Sequence, residues 1–256
     1  MDGLVTSSTY PTDAVVAAPH WRFWGTILWG LLILGVFLGL QAAIVFWVLV
    51  SGQGPLTESE FMSRYVSAAQ SGYVFSLATI LTALICCLLI AGVIKLKKHS
   101  LLGDYLALRA VPRTVMLRWL ALLAGLIVIA DVVTVLIGRP IVPEFMSEVY
   151  ATAQPVWMLW VALLVAAPLF EETFFRGFLF RGLASSFLGA TGTVLVTAGL
   201  WALLHAQYDA FGISLVFGLG LLLGIARVRT GSLWVPLTLH SAANLVATIE
   251  TAVAVY

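Results

Sequence analysis

The chain has 256 residues, 61% of them apolar and 10% charged, with a mean hydropathy of +1.05, whereas an ordinary soluble domain is about 45–50% apolar and about 25% charged. Such a chain cannot cover itself with polar side chains, which excludes a soluble globular fold and predicts a helical membrane protein. A formal net charge of +1 and a pI near 7.8 leave no basic face for a nucleic acid, so no nucleic-acid partner is expected.

Residues 1–20 read as a polar tail. They do not read as a cleaved signal peptide, because no basic residue precedes Pro19 and the apolar run that follows is too long. A membrane-spanning helix needs about 20 apolar residues to cross a hydrocarbon core of about 30 Å. Runs of this kind lie near Trp24–Val50, Tyr73–Ile94, Leu117–Ile137, Val156–Phe175, Thr191–Leu204, Phe211–Ala226 and Leu233–Val255. The expectation is an all-α, polytopic membrane bundle of seven transmembrane helices. The count becomes eight if the amphipathic stretch Ser100–Val111, which suits a membrane interface, forms a further element. Residues 21–150 would supply the N-terminal helices and 151–256 the part that carries chemistry. Cys86 and Cys87, the only cysteines, are adjacent inside an apolar run and offer neither a disulfide framework nor a metal knuckle. Nothing in Val253–Tyr256 suggests a lipidation site.

Lys95, Lys97, Lys98, Arg109, Arg113 and Arg118 fall between the second and third runs, while the preceding loop holds Glu58, Glu60 and Arg64. The basic loop is therefore expected on the cytoplasmic side. That places the N-terminus inside, the 139–155 loop outside, Arg227 and Arg229 inside and, with seven spans, the C-terminus outside. Gly35 with Gly39 and Gly220 with Gly224 have the small-xxx-small spacing that lets helices approach, and packing within one bundle is expected over a dimer interface.

An ionisable residue inside a span costs on the order of 2.5–3.5 kcal/mol on insertion scales, so Glu171, Glu172 and Arg176 demand a reason. On a helix Glu172 and Arg176 share a face, while Glu171 points about 100° away. One carboxylate is then structural and the other free to act, although a purely structural charge network is the competing reading. Trp201 with His205, and His240 with Asn244, are each four apart and share a helical face. Together with the glutamates they make an acid/base and oxyanion set. The midpoint between Glu171 and His205 falls at position 188, beside Gly189, where a helical hairpin would turn and bring the two to one level. Asp131 and Glu250 are weaker intramembrane candidates, Asp131 for a packing or gating role. Asp209 reads as a helix-start residue, and His20 and His99 as solvated or interfacial.

The run Glu171-Glu172-Thr173-Phe174-Phe175-Arg176 resembles the Glu-Glu-x-x-x-Arg motif of the CAAX prenyl protease and bacteriocin-processing family of intramembrane peptidases. His205 and His240-Ser241-Ala242-Ala243-Asn244 resemble its second and third motifs, in order and over roughly residues 155–247. The second motif usually opens with Phe; here Trp201 keeps an aromatic wall. The resemblance implies that Glu171 and His205 polarise a water that attacks a scissile amide. It further implies that His240 and Asn244 support the water or the oxyanion, and that Glu172, Arg176 and Trp201 hold the site. Glu171, His205 and His240 are also compatible with three ligands to a divalent metal such as zinc, and a metal-free glutamate mechanism is equally compatible.

The implied activity is an endopeptidase acting on hydrophobic or CAAX-type, prenylated-like peptides. Its partners would be membrane lipids and a peptide or protein substrate reaching a cavity in the membrane, and its location a prokaryotic inner membrane. Two other classes compete: a non-catalytic membrane immunity or assembly scaffold, and a small proton-relaying transporter, for which no internal repeat is evident.

Overall fold

A computed structural model of the chain describes residues 19–51 and 57–256, so most of the expected N-terminal tail lies outside the described residues. Ten helices follow in order: α1 Phe23–Ser51, α2 Glu58–Gln70, α3 Gly72–Leu96, α4 Leu102–Tyr105, α5 Arg113–Leu136 and α6 Glu144–Thr152. The last four are α7 Val156–Ala184, α8 Gly189–Leu203, α9 Ala210–Thr230 and α10 Trp234–Val255. No strand occurs among the described residues.

Five helices, α1, α3, α5, α7 and α9, are long and apolar enough to cross a membrane. Seven such crossings were expected. Of the remaining two, α8 has only 15 residues, about 22 Å of rise, and α10 is long enough but interrupted by His240, Asn244 and Glu250. The Ser100–Val111 stretch makes no eighth crossing. It holds the four residues of α4 and a loop in which Ala107 has a positive φ of 54°. Two helices form where sequence reading leaves loops, α2 and α6. For α2 the signal is present in Thr57 and Glu60, which form a capping box: the Thr57 hydroxyl accepts from the Glu60 amide, and the Glu60 carboxylate from the Thr57 amide.

Large apolar side chains point outward from α1 and α5, among them Leu28, Leu31, Leu122 and Ile129, as suits helices bathed in lipid. The core instead gathers on α7, which α1 and α3 flank and α10 crosses. Phe37 of α1 stacks on Phe170 of α7 at 4.6 Å, and Phe174 and Phe178 extend the aromatic row. Buried threonines in the helices need no distant partner. Thr82, Thr134, Thr197, Thr248 and Thr251 each donate to the carbonyl four residues back.

The two glycine pairs part company. Nothing stands within 4 Å of a Cβ built on Gly35 or Gly39, so they mark no helix contact in the bundle. Gly220 and Gly224 sit at the crossing of α8 and α9, where a Cβ would lie 3.1 Å from Ala198 and Trp201 and 2.8 Å from Val194. A methyl at Gly220 meets the Ala198 backbone as well, so α8 must shift and carry Trp201 with it. Gly220→Ala is therefore expected to cost about 1–3 kcal/mol in a denaturant titration in mixed micelles, as overpacked cores do. A variant as stable as wild type would mean that the crossing is loose.

Candidate active site

Helix α7 is not a plain α-helix around its glutamates. It widens into π-type turns at Ala162–Ala166 and again at Thr173–Leu179, with ordinary α-helix at Ala167–Glu172 between them. Proline explains the first. The Ala167 amide bonds back to the Ala162 carbonyl, five residues away, and the next amide in that register would come from Pro168, which has none. The Leu163 carbonyl left over accepts instead from the Asn244 Nδ2 of α10 at 2.7 Å. Asn244 thus ties α10 to the widened turn just before the glutamates.

Glu172 and Arg176 are fully buried and paired, with Arg176 Nη1 donating to Glu172 Oε1 at 2.7 Å. The same oxygen lies 3.0 Å from His240 Nδ1. Arg176 is held further by the Gly220 carbonyl at 3.1 Å, by the face of Trp201 at 4.8 Å, and through its own carbonyl by Arg227 Nε at 3.0 Å. Every one of these partners comes from another helix, so the pair locks α7 to α8, α9 and α10 together. The face division expected of the two glutamates is observed: Glu171 turns away from Arg176 and keeps 19% of its side chain exposed.

Glu171 Oε2 accepts a hydrogen bond from the indole N–H of Trp201. It also faces His240 Nε2 across 3.9 Å, too far for a direct hydrogen bond and suited to a bridging water. Trp201 stands edge-on between both histidine rings, 5.0 Å from His205 and 5.1 Å from His240. His205 Nδ1 lies 2.8 Å from the Trp201 carbonyl. A carbonyl only accepts, so Nδ1 carries a proton and, in the neutral ring, Nε2 presents its lone pair. A hairpin turns where expected: α7 ends at Ala184, Gly189 opens α8 with a φ of +59°, and arms of thirteen and twelve residues bring Glu171 into contact with Trp201, four residues before His205. By rise per residue, Glu171 lies about 20 Å from the Ala184 end.

Among the described residues no three histidine, cysteine, aspartate or glutamate groups gather closely enough to hold a metal ion. His240 Nδ1 is committed to Glu172 and one Glu171 oxygen to Trp201, which leaves His240 Nε2 and the other Glu171 oxygen open.

Three features escaped sequence reading. Trp201 reads in sequence as an aromatic wall, yet its indole supplies a donor that phenylalanine lacks. Arg227 was counted as a loop charge but is buried, and serves the Arg176 backbone. Asn244 reaches a carbonyl freed by Pro168, a proline inside an apolar run being the one visible hint. Asp209 does cap α9 as expected, accepting from the Gly212 amide at 2.9 Å. It also pairs with Arg139 from the connection between α5 and α6, and those two partners hold its carboxyl below the usual carboxylate range. That contact is present at neutral pH and is lost only as pH falls through the lowered value.

Residues 153–246 match the family model described as type II CAAX prenyl endopeptidase Rce1-like, a segment that contains every residue of the site. The chain is also similar to an uncharacterised 24.3 kDa protein of Escherichia coli, 30% identical over 133 residues, which cover 48% of this chain and 59% of that one. The chain thus spans rather less than two thirds of that relative's length. No solved structure matches it. The family match and the apolar helices together identify an integral membrane protein. Over residues 153–246, the chain is similar to the Rce1-like family of type II CAAX prenyl endopeptidases.

Proposed function

We propose that the protein is an intramembrane endopeptidase that hydrolyses hydrophobic or CAAX-type peptides with Glu171 as general base. The observation that carries this reading is the 3.9 Å gap between Glu171 Oε2 and His240 Nε2, beside a Trp201 ring that also meets the His205 ring at 5.0 Å. A water placed there meets a carboxylate fixed by Trp201, with His205 Nε2 as a second acceptor to orient it. The water oxygen attacks the scissile carbonyl carbon while Glu171 takes one of its protons. The carbonyl becomes an oxyanion, stabilised by His240 when that ring also carries a proton on Nε2, and by the second amide hydrogen of Asn244. The C–N bond then breaks, the proton held on Glu171 passes to the departing amine, and the products are a carboxylate and an amine. Glu172 and Arg176 fix His240 by its Nδ1 and do not react.

The role of His205 is tested by His205→Ala in a quenched fluorescent peptide assay on purified protein in nanodiscs. Orientation of the attacking water by a positioned group is worth about a hundredfold or more, and a loss of that size is expected with an unchanged melting midpoint. Cleavage at the wild-type rate would remove His205 from the mechanism. A chelator added to wild type is expected to leave the rate unchanged where Glu171 acts alone, and loss of cleavage would show that a metal takes part.

A further inference from the structure

At the end of the bundle opposite Asp209, three arginines converge from three separate segments. Arg227 lies in the last turn of α9, Arg181 in the last turns of α7, and Arg109 in the loop after α4. Each is within electrostatic range of the other two. Backbone ties fix the arrangement: Leu233 N donates to the Ala107 carbonyl at 2.9 Å and Ser232 Oγ to the Arg109 carbonyl at 2.5 Å. These bonds bring the exposed Arg109 to the turn that follows Arg227.

Arg227 is 1% exposed and Arg181 3%. The Arg227 guanidinium lies 5.2 Å from the Phe180 ring, and its Nε is used by the Arg176 carbonyl. One of its terminal nitrogens, Nη2, is buried without a hydrogen-bond partner among the described residues. The charges that act on Arg227 are the two other guanidiniums, and Asp104 lies within electrostatic range of Arg181. Asp104 is also the only acidic residue between Glu60 and Asp131. Burial of a guanidinium among like charges is costly unless an anion completes the set.

We propose that Arg109, Arg181 and Arg227 form a binding site for a phosphate group, with the buried Nη2 of Arg227 as its inner donor and Arg109 at its mouth. Guanidinium forks match phosphate oxygens in geometry and charge, and a terminal nitrogen left without an acceptor is what such a site requires before its anion arrives. The phosphate comes either from a lipid headgroup at this end of the bundle or from free inorganic phosphate. The site is separate from the glutamates and does not rest on the peptidase reading.

The test is the melting midpoint of the full chain in maltoside micelles that contain no phosphate. Sodium phosphate is titrated against sodium chloride at equal ionic strength, and a short-chain phosphatidylglycerol against the matching diacylglycerol. The midpoint is expected to rise saturably with a phosphate compound and not with its control. Arg109→Gln, an exposed substitution that leaves the core intact, is expected to need about ten times more ligand for the same rise. A response to the lipid alone assigns a headgroup site, and a response to both compounds assigns a site for the free anion. No response to either, or an equal response in Arg109→Gln, overturns the proposal.

Discussion

Glu171→Gln is expected to abolish cleavage while leaving the protein folded. Glutamine keeps a carbonyl oxygen where Glu171 Oε2 accepts from the Trp201 indole, so the α7–α8 contact survives. What it loses is the basic oxygen that takes the proton from water. General-base groups contribute about a hundred to ten thousandfold, and the loss should fall at the upper end because no other carboxylate can substitute. Glu172 is the nearest in sequence, but it is fully buried and bound to Arg176 and His240. A Glu171→Gln protein with an intact melting transition and substantial turnover would show that the water is activated elsewhere.

The largest stability effect is expected at Glu172. Glu172→Ala removes at one stroke the acceptor of Arg176 Nη1 and that of His240 Nδ1, leaving a fully buried guanidinium without its counter-charge. Breaking a buried pair in this way costs about 3–5 kcal/mol, measurable by denaturant titration in mixed micelles. Cleavage falls as well, since His240 loses the group that orients it. The double substitution Glu172→Leu with Arg176→Met separates the two effects. It restores much of the stability, because two apolar residues fill the volume, but no cleavage, because His240 remains unheld. A single variant within about 1 kcal/mol of wild type would mean that water reaches the pair and screens it.

The parts of the molecule legible in the sequence are those set by local pattern. Apolar runs placed α1 and α3 to within two residues and α5 to within four, because lipid imposes one rule on every position of a spanning helix. The spacing Glu172–Arg176 revealed a pair on one helical face, and the equal arms about position 188 placed Glu171 level with α8. Legibility failed where a partner lies far away in sequence. The end expected for the fourth span at Phe175 is overrun to Ala184, because Arg176 and Arg181 are buried against other helices and do not mark a membrane boundary. The short α8 was read as a crossing because its composition is apolar, yet its length carries it only from the hairpin turn to the level of the glutamates. The donor role of Trp201 depends on a contact thirty residues away, and that of Asn244 on a carbonyl eighty-one residues away. No local pattern encodes either.

The most direct test of the central claim is mass spectrometry of a hydrophobic peptide library incubated with purified protein in nanodiscs, wild type beside Glu171→Gln. The account predicts paired fragments from wild type, each pair gaining the mass of one water, and intact peptides from the variant. Fragments of equal yield from both proteins would contradict it, because hydrolysis would then proceed without the carboxylate on which the mechanism rests.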